Sequence, residues 1–283
     1  MRCYLVRHAQ TAWNGQNRLQ GHSDIPLSAF GEQQAQRVGG AFATRRIGGL
    51  FTSSLQRSRQ TAHAIARANG QGLAPQTEPS LAEIHLGAWE GLTPDEIDAR
   101  FDGAYQRWRL CPSTVEIPGG EPLVAFRQRV RDTFERLIGT FQQEGEYVIV
   151  SHGGVIAALL AEVLEAEYDA LLRRLCLDNA GITALECGFG PSAQATTVAL
   201  AQPIRLHSPR AEHGTRCEAG LSPERSRRTQ DSAPQQAENQ GTAKILTGLH
   251  KPHVLWVNST LHLEGLLVPS SQAAIAAPSI TAR

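Results

Sequence analysis

Three short apolar segments, separated by stretches long enough for helices, limit the folds open to this chain more than any other feature. They are "CYLV" (3–6), "GLF" (49–51) and "YVIV" (147–150). Helix-length segments between short buried strands favour crossover connections and therefore a mostly parallel sheet covered on both faces. The pattern predicts an α/β protein, a three-layer α/β/α sandwich with a mostly parallel central sheet.

Helix signals lie between these strands. Ser28 is expected to cap a helix that carries Ala35, Val38 and Phe42 on one face, and Asn69-Gly70 is expected to end the next helix. Thr93, Pro94 and Glu96 predict a capping box that opens a helix over "TPDEIDARFDGAYQRW". A long amphipathic helix is expected after the Gly-rich turn at 117–122, and "GITALECG" and "TTVALA" predict two further strands.

The composition changes after about residue 205. We expect a catalytic domain over 1–204, then a disordered insertion or linker over 205–243, which has almost no large apolar residues. Residues 244–265 contain the strand-like "HVLWVN", predicted to return to the sheet edge, and 266–283 are expected to form a disordered tail.

Charge and cysteine content narrow the function classes. The 283 residues have a formal net charge of zero, which argues against a general binder of nucleic acids or membrane surfaces. No segment approaches the ~20 apolar residues of a membrane helix or resembles a signal peptide. Five cysteines without CxxC spacing predict reduced thiols and a cytoplasmic protein without a zinc site.

Polar side chains follow each of the three central strands. Arg7 and His8 end the first strand, Ser53, Ser54 and Arg57 follow the second, and Ser151 and His152 end the third. In a parallel sheet these strand ends lie along one edge, so two histidines and two arginines are expected to converge. Backbone N–H groups at Gly153 and Gly154, where a helix begins, add positive potential.

Such a cationic cluster favours an anionic ligand. Arginine matches phosphate oxygens bidentately, and a neutral imidazole can attack phosphorus. Motifs for P-loop nucleotide binding, dinucleotide binding, serine hydrolysis and zinc proteolysis are absent from the sequence. Metal, nucleotide and serine-hydrolase chemistry therefore lack their main support, and the cluster favours a phosphoryl group as the ligand.

Four segments in this order, "LVRHAQTAWN", "SSLQRSRQTA", "EIHLGAWEG" and "VSHGGV", resemble the histidine phosphatase superfamily, which includes the cofactor-dependent phosphoglycerate mutases. The resemblance covers roughly the first 190 residues and implies a phosphoglycerate mutase-like fold. Ala9 stands where the family usually has Gly, a change between small residues.

The resemblance also implies residue roles. His8 would be the nucleophile that becomes phosphohistidine, and Glu83 the proton donor that later activates water, in a reaction that requires no metal and no cofactor. The implied phosphate pocket comprises Arg7, Asn14, Arg57, His152 and Gly153, with Gln20 and Gly21 in a substrate-facing loop. Glu90 competes with Glu83 for the acid role, but its position beside Trp89 favours a structural hydrogen-bonding function.

Three functions are compatible with the sequence. They are a phosphomonoesterase acting on a small phosphorylated metabolite, a 2,3-bisphosphoglycerate-dependent phosphoglycerate mutase, and a non-catalytic module that binds a phosphorylated ligand. "EIHLGAWEGLTPDEI" resembles phosphatase members such as the alpha-ribazole and broad-specificity enzymes rather than the mutases, in which an Arg-His-Tyr-Gly run follows the glutamate. A phosphatase is therefore favoured. The oligomeric state is open between a monomer and a homodimer.

Overall fold

The computed structural model describes residues 1–142 and 145–187 and the backbone of 253–259. The strands are β1 Arg2–Arg7, β2 Ile47–Thr52, β3 Gln76–Thr77, β4 Glu146–Ser151, β5 Ile182–Glu186 and β6 His253–Ser259. The helices are α1 Ala12–Gly15, α2 Ala29–Ala41, α3 Gln56–Asn69, α4 Pro94–Arg100, α5 Ala104–Leu110, α6 Leu123–Thr140, α7 Gly153–Val163 and α8 Tyr168–Leu172.

In the described part of the chain these strands form one sheet in the order β3-β2-β4-β1-β5-β6. β2, β3, β4 and β1 are mutually parallel, whereas β5 is antiparallel to both β1 and β6. The mostly parallel α/β architecture predicted from the strand and helix pattern is confirmed. His253–Ser259 occupies the edge beside β5; "TTVALA" and the segments 205–243 and 266–283 lie outside the described residues.

Side-chain alternation along β1 explains why both faces of the sheet are covered. Cys3 and Leu5 join a core with α6 and α7 on one face, and Tyr4 and Val6 join a second core with α2 and α3 on the other. All four are at most 1% exposed. Each buried aliphatic side chain contributes about 1.5–3 kcal/mol to folding, so β1 is a rigid support for the residues after it.

Three helix boundaries follow the predicted caps. The Ser28 side chain accepts a hydrogen bond from the Gly31 backbone N–H, and Gly70 ends α3 in the left-handed conformation at φ 68°. Thr93 and Glu96 form the reciprocal capping box that opens α4. These three predictions are confirmed.

Two other expectations were wrong. The helix predicted after Thr93 is interrupted at Asp102 and Gly103, whose φ angles of 50° and 70° lie outside the right-handed helical region, so two short helices form. Cys111 is disulfide-bonded, against the expectation that every thiol is reduced.

Within the described residues, no helix is both long enough and apolar enough to cross a membrane.

Candidate active site

Parallel pairing brings the ends of β1, β2 and β4 to one edge of the sheet. Arg7 pairs with Ser151, and the His8 backbone N–H donates to the Ser151 carbonyl at 2.9 Å. On the other side of β4, the Ser53 backbone N–H donates to the Val150 carbonyl at 3.2 Å. The predicted convergence of the residues after these strands is therefore present in the fold.

His8 is buried with one ring nitrogen already engaged. Its Nδ1 lies 2.7 Å from the Ala9 carbonyl, which can only accept, so Nδ1 carries the proton and Nε2 keeps its lone pair. Burial lowers the pKa of His8 well below its usual value, and the positive charges of Arg57 and Arg7 lower it further. A neutral imidazole with a free Nε2 is the state required of a nucleophile.

His152 faces His8 and is inaccessible to solvent. Its Nε2 lies 2.7 Å from the Ser53 hydroxyl oxygen, and its Nδ1 is buried without a partner. Burial and the neighbouring Arg57 lower the pKa of His152 well below its usual value. When the Ser53 hydroxyl donates to Nε2, the remaining proton lies on Nδ1, which then becomes a donor for a bound anion.

Arg57 and Arg7 are held through their terminal nitrogens. Arg57 donates to the backbone carbonyls of Gly21 at 2.7 Å and Ser23 at 2.8 Å, and Arg7 donates to the Leu177 carbonyl. Burial lowers the pKa of Arg7, and that of Arg57 to about 10, so both remain cationic at neutral pH. The Nε atoms of both arginines are buried without a hydrogen-bond partner.

Unpartnered buried polar atoms are costly, so these nitrogens require an explanation. Arg7 Nε, Arg57 Nε and His152 Nδ1 are all hydrogen-bond donors in the states described above. Their side chains lie close enough for each charge to affect the pKa of its neighbours. An oxyanion bound among these side chains would supply acceptors for such donors and neutralise the charge of the arginines.

Glu83 supplies a carboxylate on the helix side of this cluster. One carboxylate oxygen accepts from the Gly154 backbone N–H at 3.1 Å, at the start of α7, and the other from its own neighbour Ile84 at 3.1 Å. A Cβ at position 154 would lie 2.4 Å from the Glu83 carboxylate, so only glycine permits this approach. Glu83 is partly exposed, unlike His8 and His152.

Glu90, by contrast, is fully engaged in the backbone of the loop after Gly21. Its carboxylate accepts from the N–H groups of His22 and Ser23 at 2.8 and 2.9 Å and from the Ser23 hydroxyl at 2.6 Å. Although partial burial raises the pKa of Glu90, these hydrogen bonds outweigh it and lower the value overall. The structural interpretation of Glu90 is confirmed.

The other predicted site residues lie around the same edge. Asn14 closes a reciprocal capping box with Thr11, and its Oδ1 accepts from Asn179 at 3.4 Å. Gln20 is buried with an unpartnered Oε1, and Gly21 has a φ of 51° and lies against Glu90. A Cβ at Gly153 would lie 3.5 Å from Arg7 Nε, in ordinary contact, so this guanidinium lies over the start of α7.

Two contacting residues, Asn179 and Ala180, carry no sequence signal. Asn179 donates to the His8 carbonyl at 3.1 Å, and the Ala180 N–H to the carbonyls of Arg7 and His8 at 3.1 Å each. These residues precede β5, which pairs with β1 only through the tertiary fold. The antiparallel addition of β5 beside β1, which no local pattern specifies, is what brings them to the site.

In the described part of the chain, no group of three His, Cys, Asp or Glu side chains is arranged to hold a metal ion. The expectation of a metal-independent reaction nevertheless stays a prediction.

Two curated proteins show how far the sequence is similar to known ones. The chain is 34% identical over 195 residues to the probable phosphoglycerate mutase GpmB of Serratia proteamaculans. That alignment covers 66% of this chain and 85% of the relative. The chain is 37% identical over 157 residues to phosphoglycerate mutase-like protein 4 of Arabidopsis thaliana, covering 55% of this chain and 67% of that one.

Among the similar solved structures are proteins named as phosphatases. A mycobacterial glucosyl-3-phosphoglycerate phosphatase in complex with VO3 has a TM-score of 0.61 and 33% identity, covering 66% of this chain and 92% of its own. A putative alpha-ribazole-5'-P phosphatase from Escherichia coli has a TM-score of 0.59 and 28% identity, covering 65% and 89%. The family model for the histidine phosphatase superfamily (branch 1) matches residues 3–195. The chain therefore belongs to the histidine phosphatase superfamily.

Proposed function

We propose that this protein is a metal-independent phosphomonoesterase that hydrolyses a small phosphorylated metabolite through a phosphohistidine at His8. The observation that carries the proposal is the set of three unpartnered donors, Arg7 Nε, Arg57 Nε and His152 Nδ1, beside a neutral His8. Their number and charge suit the oxygens of one phosphoryl group.

The reaction consists of two transfers. His8 Nε2 attacks phosphorus with its lone pair, the bond to the ester oxygen breaks, and Glu83, protonated beforehand, gives its proton to the departing alkoxide. Glu83, now a carboxylate, removes a proton from water, whose oxygen attacks the phosphohistidine and releases His8 and inorganic phosphate. The arginines and His152 stabilise the charge that builds on the phosphoryl oxygens in both steps.

The names of the similar structures support a small phosphorylated metabolite as the substrate class. They include phosphatases for glucosyl-3-phosphoglycerate and alpha-ribazole-5'-P. These names describe the substrates of the similar proteins themselves. A sugar phosphate, a phosphoglycerate, phosphoserine or a nucleoside-like phosphate are the first compounds to test. We propose a cytoplasmic monomer or homodimer that binds no nucleic acid.

A phosphoglycerate mutase is the second candidate because the curated relatives carry that name. In a mutase, phosphohistidine would give its phosphoryl group to a second hydroxyl of a bound phosphoglycerate instead of to water. The segment after Glu83, "IHLGAWEG", lacks the Arg-His-Tyr-Gly run of the mutases and favours the phosphatase.

A panel of phosphomonoesters assayed by phosphate release, with and without 2,3-bisphosphoglycerate and with EDTA throughout, tests the proposal. We expect release of inorganic phosphate that EDTA leaves unchanged and that is lost in His8→Asn. Interconversion of phosphoglycerates dependent on 2,3-bisphosphoglycerate would instead identify a mutase. Binding of phosphate esters without turnover would support a binding module, and loss of activity with EDTA would reject the metal-independent reaction.

A further inference from the structure

Arg129, on α6, donates three hydrogen bonds to the segment that carries Glu83. It donates to the backbone carbonyls of Ser80 and Ala82 at 2.8 Å each and to that of Glu83 at 2.9 Å. We propose that Arg129 is a positioning residue that holds the proton donor Glu83 in register with the phosphoryl pocket. This inference rests on the proposed function, because it assigns Arg129 a part in proton donation by Glu83.

The segment needs such support because little regular structure holds it. Between the short strand β3 and α4, the described backbone has only two single 3-10 turns, Pro79–Leu81 and Gly87–Trp89. Carbonyls in irregular segments lack ladder partners and must be satisfied otherwise. The planar guanidinium spans three of them at once, which the point charge of a lysine cannot do.

Glu121 fixes Arg129 in turn. Its two carboxylate oxygens accept from Arg129 Nε at 2.6 Å and from a terminal nitrogen at 2.8 Å, a bidentate pair with side chains 18% and 23% exposed. Glu121 also accepts from the His85 backbone N–H at 3.3 Å, two residues beyond Glu83. The pair therefore holds the segment on both sides of the proton donor.

The far side of the Glu83 carbonyl is held by the loop that also carries Gly21. His22 Nε2 donates to this carbonyl at 2.7 Å, so the carbonyl accepts two hydrogen bonds from different parts of the chain. His22 is exposed, whereas Arg129 is only partly accessible and holds three carbonyls. Arg129 is therefore the stronger of the two restraints.

Loss of this restraint has a specific chemical consequence. A displacement of about 1 Å in a reacting group can cost about 100-fold in rate. The loss falls on phosphoryl transfer to His8 from esters whose alkoxide must be protonated as it leaves. An aryl phosphate has a stable phenolate leaving group that needs no proton, so its rate of phosphoryl transfer should change little. The value of kcat/KM reports only the steps up to formation of phosphohistidine. The ratio of the kcat/KM values for the two substrates therefore measures this effect without a contribution from the later hydrolysis.

The experiment compares Arg129→Met with Arg131→Met. Arg131 lies on the same helix but pairs with Glu162 at 3.4 Å, away from the Glu83 segment, so its replacement is the matched control. We expect Arg129→Met to reduce kcat/KM about 10- to 100-fold for an alkyl phosphate and less than threefold for 4-nitrophenyl phosphate. Arg131→Met should change both values less than twofold.

Two further measurements separate positioning from general damage. In Glu83→Gln, adding Arg129→Met should cause little further loss on the alkyl phosphate, because both changes remove the same contribution. In Arg129→Ala, millimolar guanidinium should restore part of the alkyl phosphate turnover, whereas equimolar sodium should not.

Equal losses on both substrates, or losses additive with Glu83→Gln, would overturn the positioning role while leaving the proposed function intact. A wild-type protein that releases phosphate from neither ester would overturn the proposed function, and the role of Arg129 with it.

Discussion

The imidazole rings of His8 and His152 lie 5.1 Å apart between centroids, with their planes inclined at 57°. Both side chains are at most 3% exposed, and Arg57 and Arg7 lower the pKa of each in addition to the effect of burial. Two neutral imidazoles with different hydrogen-bond partners can therefore serve different functions. His8 offers a lone pair from Nε2, and His152 offers a proton from Nδ1.

This arrangement makes stability sensitive to acid. A histidine with a lowered pKa in the folded state contributes stability above the ordinary pKa of about 6.5 and loses it as the pH falls, because only the unfolded chain takes up protons. We expect the free energy of unfolding in urea to fall between about pH 7 and pH 5, with each group contributing a slope of up to about 1.4 kcal/mol per pH unit.

Variants identify the groups responsible for that slope. His8→Asn and His152→Asn should each reduce the pH dependence, whatever their effect on stability at neutral pH. The exposed His63 provides the control, and His63→Asn should retain the wild-type slope. A wild-type protein equally stable at pH 7 and pH 5 would show that neither imidazole is held neutral by its surroundings.

Ser53→Ala tests the hydrogen bond that orients His152. Removing the hydroxyl leaves Nε2 without its partner, so Nδ1 no longer has to carry the proton. We expect kcat/KM and the calorimetric affinity for inorganic phosphate each to fall about tenfold, the equivalent of a hydrogen bond of ~1.4 kcal/mol. The neighbouring Ser54 lies outside this contact, and Ser54→Ala should change neither quantity more than twofold. A phosphate affinity unaltered in Ser53→Ala would argue against a donor role for His152.

Gly154→Ala tests the close approach of α7 to the proton donor. The new methyl group would lie 2.4 Å from a Glu83 carboxylate oxygen, the mobile end of a side chain, so the carboxylate moves and the backbone does not. We expect near-normal stability, with a loss of about 100-fold in kcat/KM for alkyl phosphates and a much smaller loss for aryl phosphates.

Gly139→Ala is the matched change for that experiment. Gly139 lies in α6 with open space at its Cβ position, and an alanine there should leave activity unchanged and stabilise the helix by up to about 1 kcal/mol. Equal losses on both substrates in Gly154→Ala would mean that the methyl group disturbs the phosphate pocket rather than Glu83.

Much of the sheet edge could be predicted from the sequence because parallel pairing places strand ends together. Arg7, His8 and His152 directly follow or end apolar strands, and Arg57 lies in the first turn of the helix after another. Their convergence needed only the alternation of strands and helices. The acid Glu83 was different, because it lies in an irregular segment and was identified through the family resemblance.

Other contacts could not be predicted because they depend on the tertiary fold. Asn179 contacts the His8 carbonyl because β5 pairs with β1 in antiparallel orientation. In the sequence, nothing distinguishes Arg129 from the other arginines of an amphipathic helix. Its contacts depend on the packing of α6 beside the Glu83 segment.

The break between α4 and α5 does have a sequence signal, because Asp102-Gly103 is a dipeptide typical of turns and both residues adopt positive φ. The single helix predicted over this segment follows the capping box and ignores that signal.

Direct detection of phosphohistidine tests the central claim most sharply. In Glu83→Gln, an aryl phosphate should still transfer its phosphoryl group to His8, whereas hydrolysis is slowed because water lacks its base. After rapid quenching in alkali, which preserves phosphohistidine, we expect mass spectrometry to find close to one phosphoryl group per chain, on the peptide containing His8, and none in the His8→Asn, Glu83→Gln double variant. Turnover of the aryl phosphate by His8→Asn, or a phosphoryl group on any other residue, would contradict the account.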